Sequence, residues 1–149
     1  MKVLFVCTGN TCRSPMAAAL LRSRWRGSEP IEVASCGLAT EDGFPASNYA
    51  LKAVAELGCE LGEHRSQLLN QKLVDEADLI LTMTQSHKEL LLAHFPQAQA
   101  RTFTLGEYVG AAFDVADPFS GTQETYRKTA RQLEEMITEL IKKLEMKDR

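Results

Sequence analysis

Cysteine is scarce in this chain of 149 residues: four, at positions 7, 12, 36 and 59. That number and scatter do not make the framework of a small disulfide-bonded secreted domain. No Cys-x2-Cys pair occurs, and His64, His87 and His94 lack ligand spacing to the cysteines, which argues against a zinc site. Long apolar runs are also missing. The opening Met1–Val6 gives out at Thr8-Gly9-Asn10, too short for a secretion signal. Nothing approaches the roughly 18 apolar residues that a membrane span needs. Positive charge is not in excess either: 17 Lys and Arg stand against 20 Asp and Glu, for a net charge of −3. A nucleic-acid binder would ordinarily present a basic face. These absences lead us to expect a cytoplasmic protein with reduced thiols, no membrane or nucleic-acid partner, and no metal or other cofactor. An anionic substrate stays open, because one loop can be positive on an acidic protein.

What is present suggests one domain, residues 1–149. A chain of this length buries roughly 68–70% of its unfolded surface, enough for a substantial core. Strand-like runs recur at Val3–Cys7, Ile31–Ser35, Leu79–Met83 and Arg101–Leu105. The first and third are nearly continuous in apolar residues, as strands covered on both faces are. Helical stretches separate them. Ser14-Pro15 reads as an N-cap and first-turn proline opening a helix to about Arg24. Ala46–Leu57 stops at Gly58, Asn70–Ala77 is shorter, and Thr84–Phe95 ends before Pro96. A last helix over 122–144 is read as entered through a capping box at Ser120-x-x-Gln123. Its Leu133, Met136, Ile137, Leu140, Ile141 and Leu144 form one stripe suited to core packing. Strands alternating with helices predict an α/β fold on an open parallel sheet. Ligands in such folds sit at the carboxyl ends of strands. Cys7 ends the first strand, and residues 106–121 read as the one long loop.

The stretch Cys7-Thr-Gly-Asn-Thr-Cys-Arg13-Ser-Pro has a cysteine, five residues and an arginine. Residues 8–13 can wrap so that successive backbone N–H groups converge, with the helix at Ser14 aimed at the same point. Such a nest suits a tetrahedral dianion. Gly9 and Asn10 tolerate the left-handed backbone that the wrap demands. The Arg13 fork matches two phosphate oxygens at once. Thr8, Gly9, Asn10, Thr11 and Cys12 then line the bound anion. Cys7 lies beneath it as the nucleophile, with Ser14 placed to hydrogen-bond the sulfur. A nucleotide P-loop is excluded, since no Gly-Lys-Ser/Thr follows. Displacement of phosphate onto sulfur needs a proton for the leaving group. Asp117, held before Pro118 in the long loop, is the candidate acid, and Asp114 is the reserve.

These residues resemble the low-molecular-weight protein tyrosine phosphatase family over essentially the whole chain. The resemblance rests on residues 6–15, Ser35-Cys36-Gly37, His64-Arg65-Ser66, Ala77-Asp78-Leu79-Ile80 and Asp117-Pro118-Phe119. It implies a four-stranded parallel sheet with helices on both faces. It implies Cys7 as nucleophile, Arg13 as phosphate clamp and Asp117 as acid, with Asn10 braced by Ser14, Ser35 and His64. His87 and His94 read as surface helix residues.

The chain also departs from that pattern. Many family members have a bulky aliphatic residue at Thr11, two aromatics after Asp-Pro, and Arg at Gln67. Here Phe119 is followed by Ser120, so one wall of the slot for a phenyl ring is missing. Thr11 resembles the bacterial branch that dephosphorylates phosphoarginine in proteins. That branch opposes a protein arginine kinase in stress responses, so the implied partners are arginine-phosphorylated proteins. Three rivals remain. One is a tyrosine phosphatase with the same machinery. Another is an arsenate reductase, opposed by the lack of resolving cysteines in 82–94. The last is a catalytically silent phosphoprotein-binding module. Cys12 in the same loop is open to two readings, a partner in reversible Cys7–Cys12 oxidation or a packed cysteine.

Overall fold

A computed structural model describes residues 1–147. Strand β1 (Lys2–Cys7) lies inside a four-stranded sheet ordered β2-β1-β3-β4, with β2 Glu32–Gly37, β3 Leu79–Thr82 and β4 Thr102–Thr104. All pairings are parallel, and the register places Cys7 opposite Gly37, Val6 opposite Thr82 and Thr82 opposite Thr104. Four carboxyl ends therefore share one edge of the sheet. The strand β2 runs two residues past Ser35 because Cys36 and Gly37 pair with Val6 and Cys7.

Alternation along the strands splits the core in two. Val3, Phe5, Leu79 and Leu81 belong to the larger core, with helices α1 (Arg13–Arg24), α2 (Asn48–Ala55), α5 (Leu105–Val109) and α6 (Gln123–Lys147). Leu4, Val6, Cys36 and Ile80 belong to the other, with α3 (Gln71–Glu76), α4 (Gln85–His94) and the 3-10 turn Pro96–Arg101. Helices thus cover both faces, and the first and third strands need to be apolar throughout. Residues 13–21 of α1 are all buried, because this helix packs on both β1–β2 and α6. Its Ala17-Ala18-Ala19 run lets it sit close on both sides. The stripe of α6 (Leu133, Met136, Ile137, Leu140, Leu144) is buried in the same core. Each fully buried Leu or Ile contributes about 1.5–3 kcal/mol. No helix among the described residues is long and apolar enough to cross a membrane.

The structure corrects several sequence readings. Helix α1 starts at Arg13, and its N-cap Cys12 makes no side-chain cap bond. Ser14 is therefore inside the helix, and its hydroxyl serves the loop instead. The stretch 106–121 is not all loop, since α5 occupies Leu105–Val109 and ends at left-handed Gly110. A Thr104–Glu107 capping box opens α5. Helix α6 is capped by Thr122, whose Oγ1 accepts from Thr125 N at 3.3 Å. Ser120 makes no such cap and turns at φ 67°. In the cysteine loop only Asn10 takes a positive φ, 57°, while Gly9 stays outside the left-handed region.

Candidate active site

Cys7 is 3% exposed where β1 meets the loop. Its Sγ receives the Asn10 backbone N–H at 3.3 Å and lies 2.9 Å from Ser14 Oγ. Asn10 Nδ2 donates to that same Ser14 oxygen at 2.9 Å, which leaves the Ser14 proton for sulfur. The alternative acceptor, Cys36 O, is 3.5 Å away. Two donors thus point at the sulfur.

Asn10 is fully buried and holds the loop from four directions. Nδ2 also donates to Ser35 Oγ at 2.9 Å, and Oδ1 accepts Gln67 N at 3.0 Å. The Asn10 carbonyl accepts from His64 Nε2 at 2.7 Å, so that nitrogen carries the hydrogen. Burial pushes the His64 imidazole below its usual pKa, against the pull of that bond. Gln67, where many family members have Arg, uses its amide to reach Ser35 O at 2.9 Å. The loop also leans on β2. Leu38 N donates to Cys7 O and Ala39 N to Thr8 O, both at 3.0 Å. Gly37 permits this approach, since a Cβ there would stand 2.6 Å from Thr8 O.

Arg13 is 5% exposed, and its guanidinium is aimed before any anion arrives. Nη1 donates to Val115 O at 3.0 Å, and Nη2 lies 3.5 Å from Asp117 Oδ2. The Asp117 side chain is half exposed, and its Oδ1 accepts Phe119 N at 3.0 Å. A cleft of about 240 Å³ is lined by Cys7, Thr8, Gly9, Asn10, Thr11, Cys12, Arg13, Asp117 and Phe119. The structure therefore brings together every sequence-expected site residue except Ser14, which lies buried beneath as a donor. Asp114 is elsewhere: its Oδ2 accepts Gln85 N at 3.1 Å at the start of α4. Phe119 is 74% exposed and stands at the cleft as an open flap. Cys12 Sγ contacts Ser47 Oγ at 3.6 Å and Tyr126 OH at 3.5 Å. Burial and the bond to Cys12 push the Tyr126 phenol up to about 12.

One residue was missed. His87 is not a surface residue: it is 8% exposed, and its Nε2 lies 2.9 Å from Thr8 Oγ1. Burial first, then the nearby Arg13 charge, push its imidazole down to about 4. The available signal was its place at the third position of a helix capped by Thr84, just past the end of β3. A wider groove of about 850 Å³ opens outside β2 and touches the backs of Ser35, His64 and Gln67. It contains none of the cleft residues.

A buried cysteine at a strand end, with the Asn10 N–H and the Ser14 hydroxyl on its sulfur and an arginine lining the same cleft, defines a phosphatase-type anion site. The family model for low molecular weight phosphotyrosine protein phosphatase matches residues 2–149, and the chain belongs to that family. It is 44% identical to a protein-arginine-phosphatase of Geobacillus stearothermophilus over 97% of this chain and 96% of that protein. It is 42% identical to the protein-arginine-phosphatase of Bacillus subtilis strain 168, over 100% and 99% of the two chains. A solved YwlE arginine phosphatase, a cysteine-to-serine variant with a phosphorylated active-site serine, superimposes with a TM-score of 0.89. It is 39% identical, with 97% of this chain and 95% of that one covered.

Proposed function

We propose that this protein hydrolyses phosphoarginine in proteins through a cysteinyl-phosphate intermediate. The observation that carries the reading is the cleft itself. It has a donor-supported Cys7 at its base, Arg13 beside it and Asp117 at its mouth. In the first step Cys7 Sγ attacks phosphorus, the P–N bond breaks, and Asp117 protonates the departing guanidino nitrogen. The loop N–H groups and the α1 N-terminus hold the phosphoryl oxygens, with Arg13 as clamp. In the second step Asp117, now a carboxylate, takes a proton from water. That water attacks phosphorus, and the P–S bond breaks to release phosphate and the thiolate.

Three features favour phosphoarginine. Two full-length relatives carry that activity in their names. Threonine hydroxyls at positions 8 and 11 line the cleft, and position 11 is one where many family members have a bulky aliphatic residue. A single, exposed Phe119 gives a phenyl ring little to stack on. The targets would be proteins phosphorylated by an arginine kinase, in a cytoplasm that keeps the thiols reduced and within a stress response. Phosphotyrosine hydrolysis by the same residues is the second reading, favoured by the family description itself.

Side-by-side turnover of phosphoarginine and phosphotyrosine peptides tests the proposal, with higher kcat/KM expected on phosphoarginine. A preference for phosphotyrosine would replace it with the second reading. Absence of both turnover and a burst of dephosphorylated peptide on either substrate would leave a binding module.

A further inference from the structure

His87 has no part in the steps above, yet it is a buried polar ring against the cleft wall. Its Nε2 is 2.9 Å from Thr8 Oγ1, and its Nδ1 is buried without a hydrogen-bond partner among the described residues. The ring thus has one polar anchor in the structure. It is fixed in place by α4, where its backbone N–H donates to Thr84 Oγ1 at 3.1 Å. Thr8 follows the nucleophile in sequence and lines the cleft with Asp117 and Phe119.

We propose that His87 is a positioning residue that holds the Thr8 hydroxyl as an acceptor for the guanidino N–H groups of the leaving group. The inference rests on the phosphoarginine reading. A threonine hydroxyl has one hydrogen and two lone pairs. If His87 donates, one lone pair is used and one remains. If Thr8 donates, both remain. In either tautomer an acceptor is held at the cleft wall, and the hydroxyl no longer rotates freely. A guanidino N–H can bond that oxygen. A phenyl ring covering it would remove water and return no hydrogen bond, which is the costly case for a buried polar atom.

Neutrality of the ring matters here. The charged groups acting on it are Arg13 from α1 and Asp114 and Asp117 from the loop. A cationic imidazole would donate to Thr8 and set a second positive charge beside Arg13 and an incoming guanidino group. Burial and Arg13 both hold the ring neutral, so near pH 7 it acts through its hydrogen bond.

The test measures kcat/KM for phosphoarginine and phosphotyrosine peptides in wild type, Thr8→Val, His87→Leu, the double variant and His87→Gln. Thr8→Val keeps the shape of an exposed loop residue, so the cycle does not depend on His87 variants alone. Each single change is expected to lower the phosphoarginine-to-phosphotyrosine ratio by about tenfold. The double variant should lose no more than either single one, because both remove the same bond. Glutamine, which keeps a terminal polar group, should recover at least part of the ratio. Equal losses on both substrates, additive losses, or a ratio unmoved in Thr8→Val would each overturn the assignment. A wild type that prefers phosphotyrosine would instead remove the underlying reading. The wild-type ratio therefore separates the two failures.

Discussion

Cys7 and its neighbours divide the work residue by residue. In the proposed mechanism the sulfur supplies the electron pair, while the anion is held by groups that do not depend on it. Cys7→Ser should therefore abolish turnover and leave vanadate or phosphate binding by calorimetry largely intact. Substantial residual hydrolysis would remove Cys7 from its proposed role. Asp117 is half exposed and, among the described residues, tied to Arg13 and the Phe119 N–H, which leaves it free to meet a leaving group. Asp117→Asn should lower kcat by about 10²–10⁴ and flatten one limb of the pH–rate profile. Asp114→Asn should do much less, because Asp114 caps the α4 N-terminus; a larger effect there would reverse the assignment. Thr11 lines the same cleft. Thr11→Ile should cost at least about tenfold in kcat/KM for phosphoarginine and spare or raise that for phosphotyrosine. Parallel losses would mean that Thr11 supports the loop without selecting the substrate.

Elements carry the site because they end together. Gly37 closes β2 directly against the loop, where a Cβ would meet Thr8 O at 2.6 Å and Asn10 Cβ at 3.2 Å. Gly37→Ala should displace the cradle, lowering phosphate affinity and shifting the urea midpoint downward. Unchanged values of both would show that the loop can yield. Strands β1 and β3 were legible because burial on both faces forces apolar runs, and the cysteine loop because its spacing is set by anion geometry. Other features were hidden for physical reasons. A capping side chain at the start of α1 would compete with an anion for the same N–H groups, so Ser14, which looks like a cap, is used at the second helical position. The Thr104-x-x-Glu107 signal for α5 was present, but five residues around Gly106 make little periodic pattern. Tertiary placement alone decides whether a histidine such as His87 faces solvent or the loop. Its one local signal, a place in the first turn of a helix capped by Thr84 just past β3, does not by itself show that the ring faces the loop.

For the whole molecule, two imidazoles, buried His87 and half-buried His64, tie stability to pH. The His87 pKa is depressed to about 4, against about 6.5 in an unfolded chain, and that of His64 is depressed in the same direction. Between those values the unfolded chain binds a proton that the folded one refuses. Stability should therefore fall as pH is lowered from 6.5 toward 4 and be flat in this respect above 6.5. The urea midpoint should be lower at pH 5 than at pH 7, and His87→Gln should reduce that difference. A midpoint independent of pH across this range would contradict the burial assigned to both rings.

The division between the buried brace and the exposed rim has a consequence on an evolutionary scale. Asn10, Ser14 and Ser35 are buried under the cradle, whereas Thr8 and Phe119 stand exposed around it. Drift at the rim can alter which phosphorylated side chain is accepted while the hydrolytic step persists underneath. Drift at the brace would abolish hydrolysis of every substrate at once. A lineage built on this scaffold can therefore change substrates by single codons without passing through an inactive ancestor.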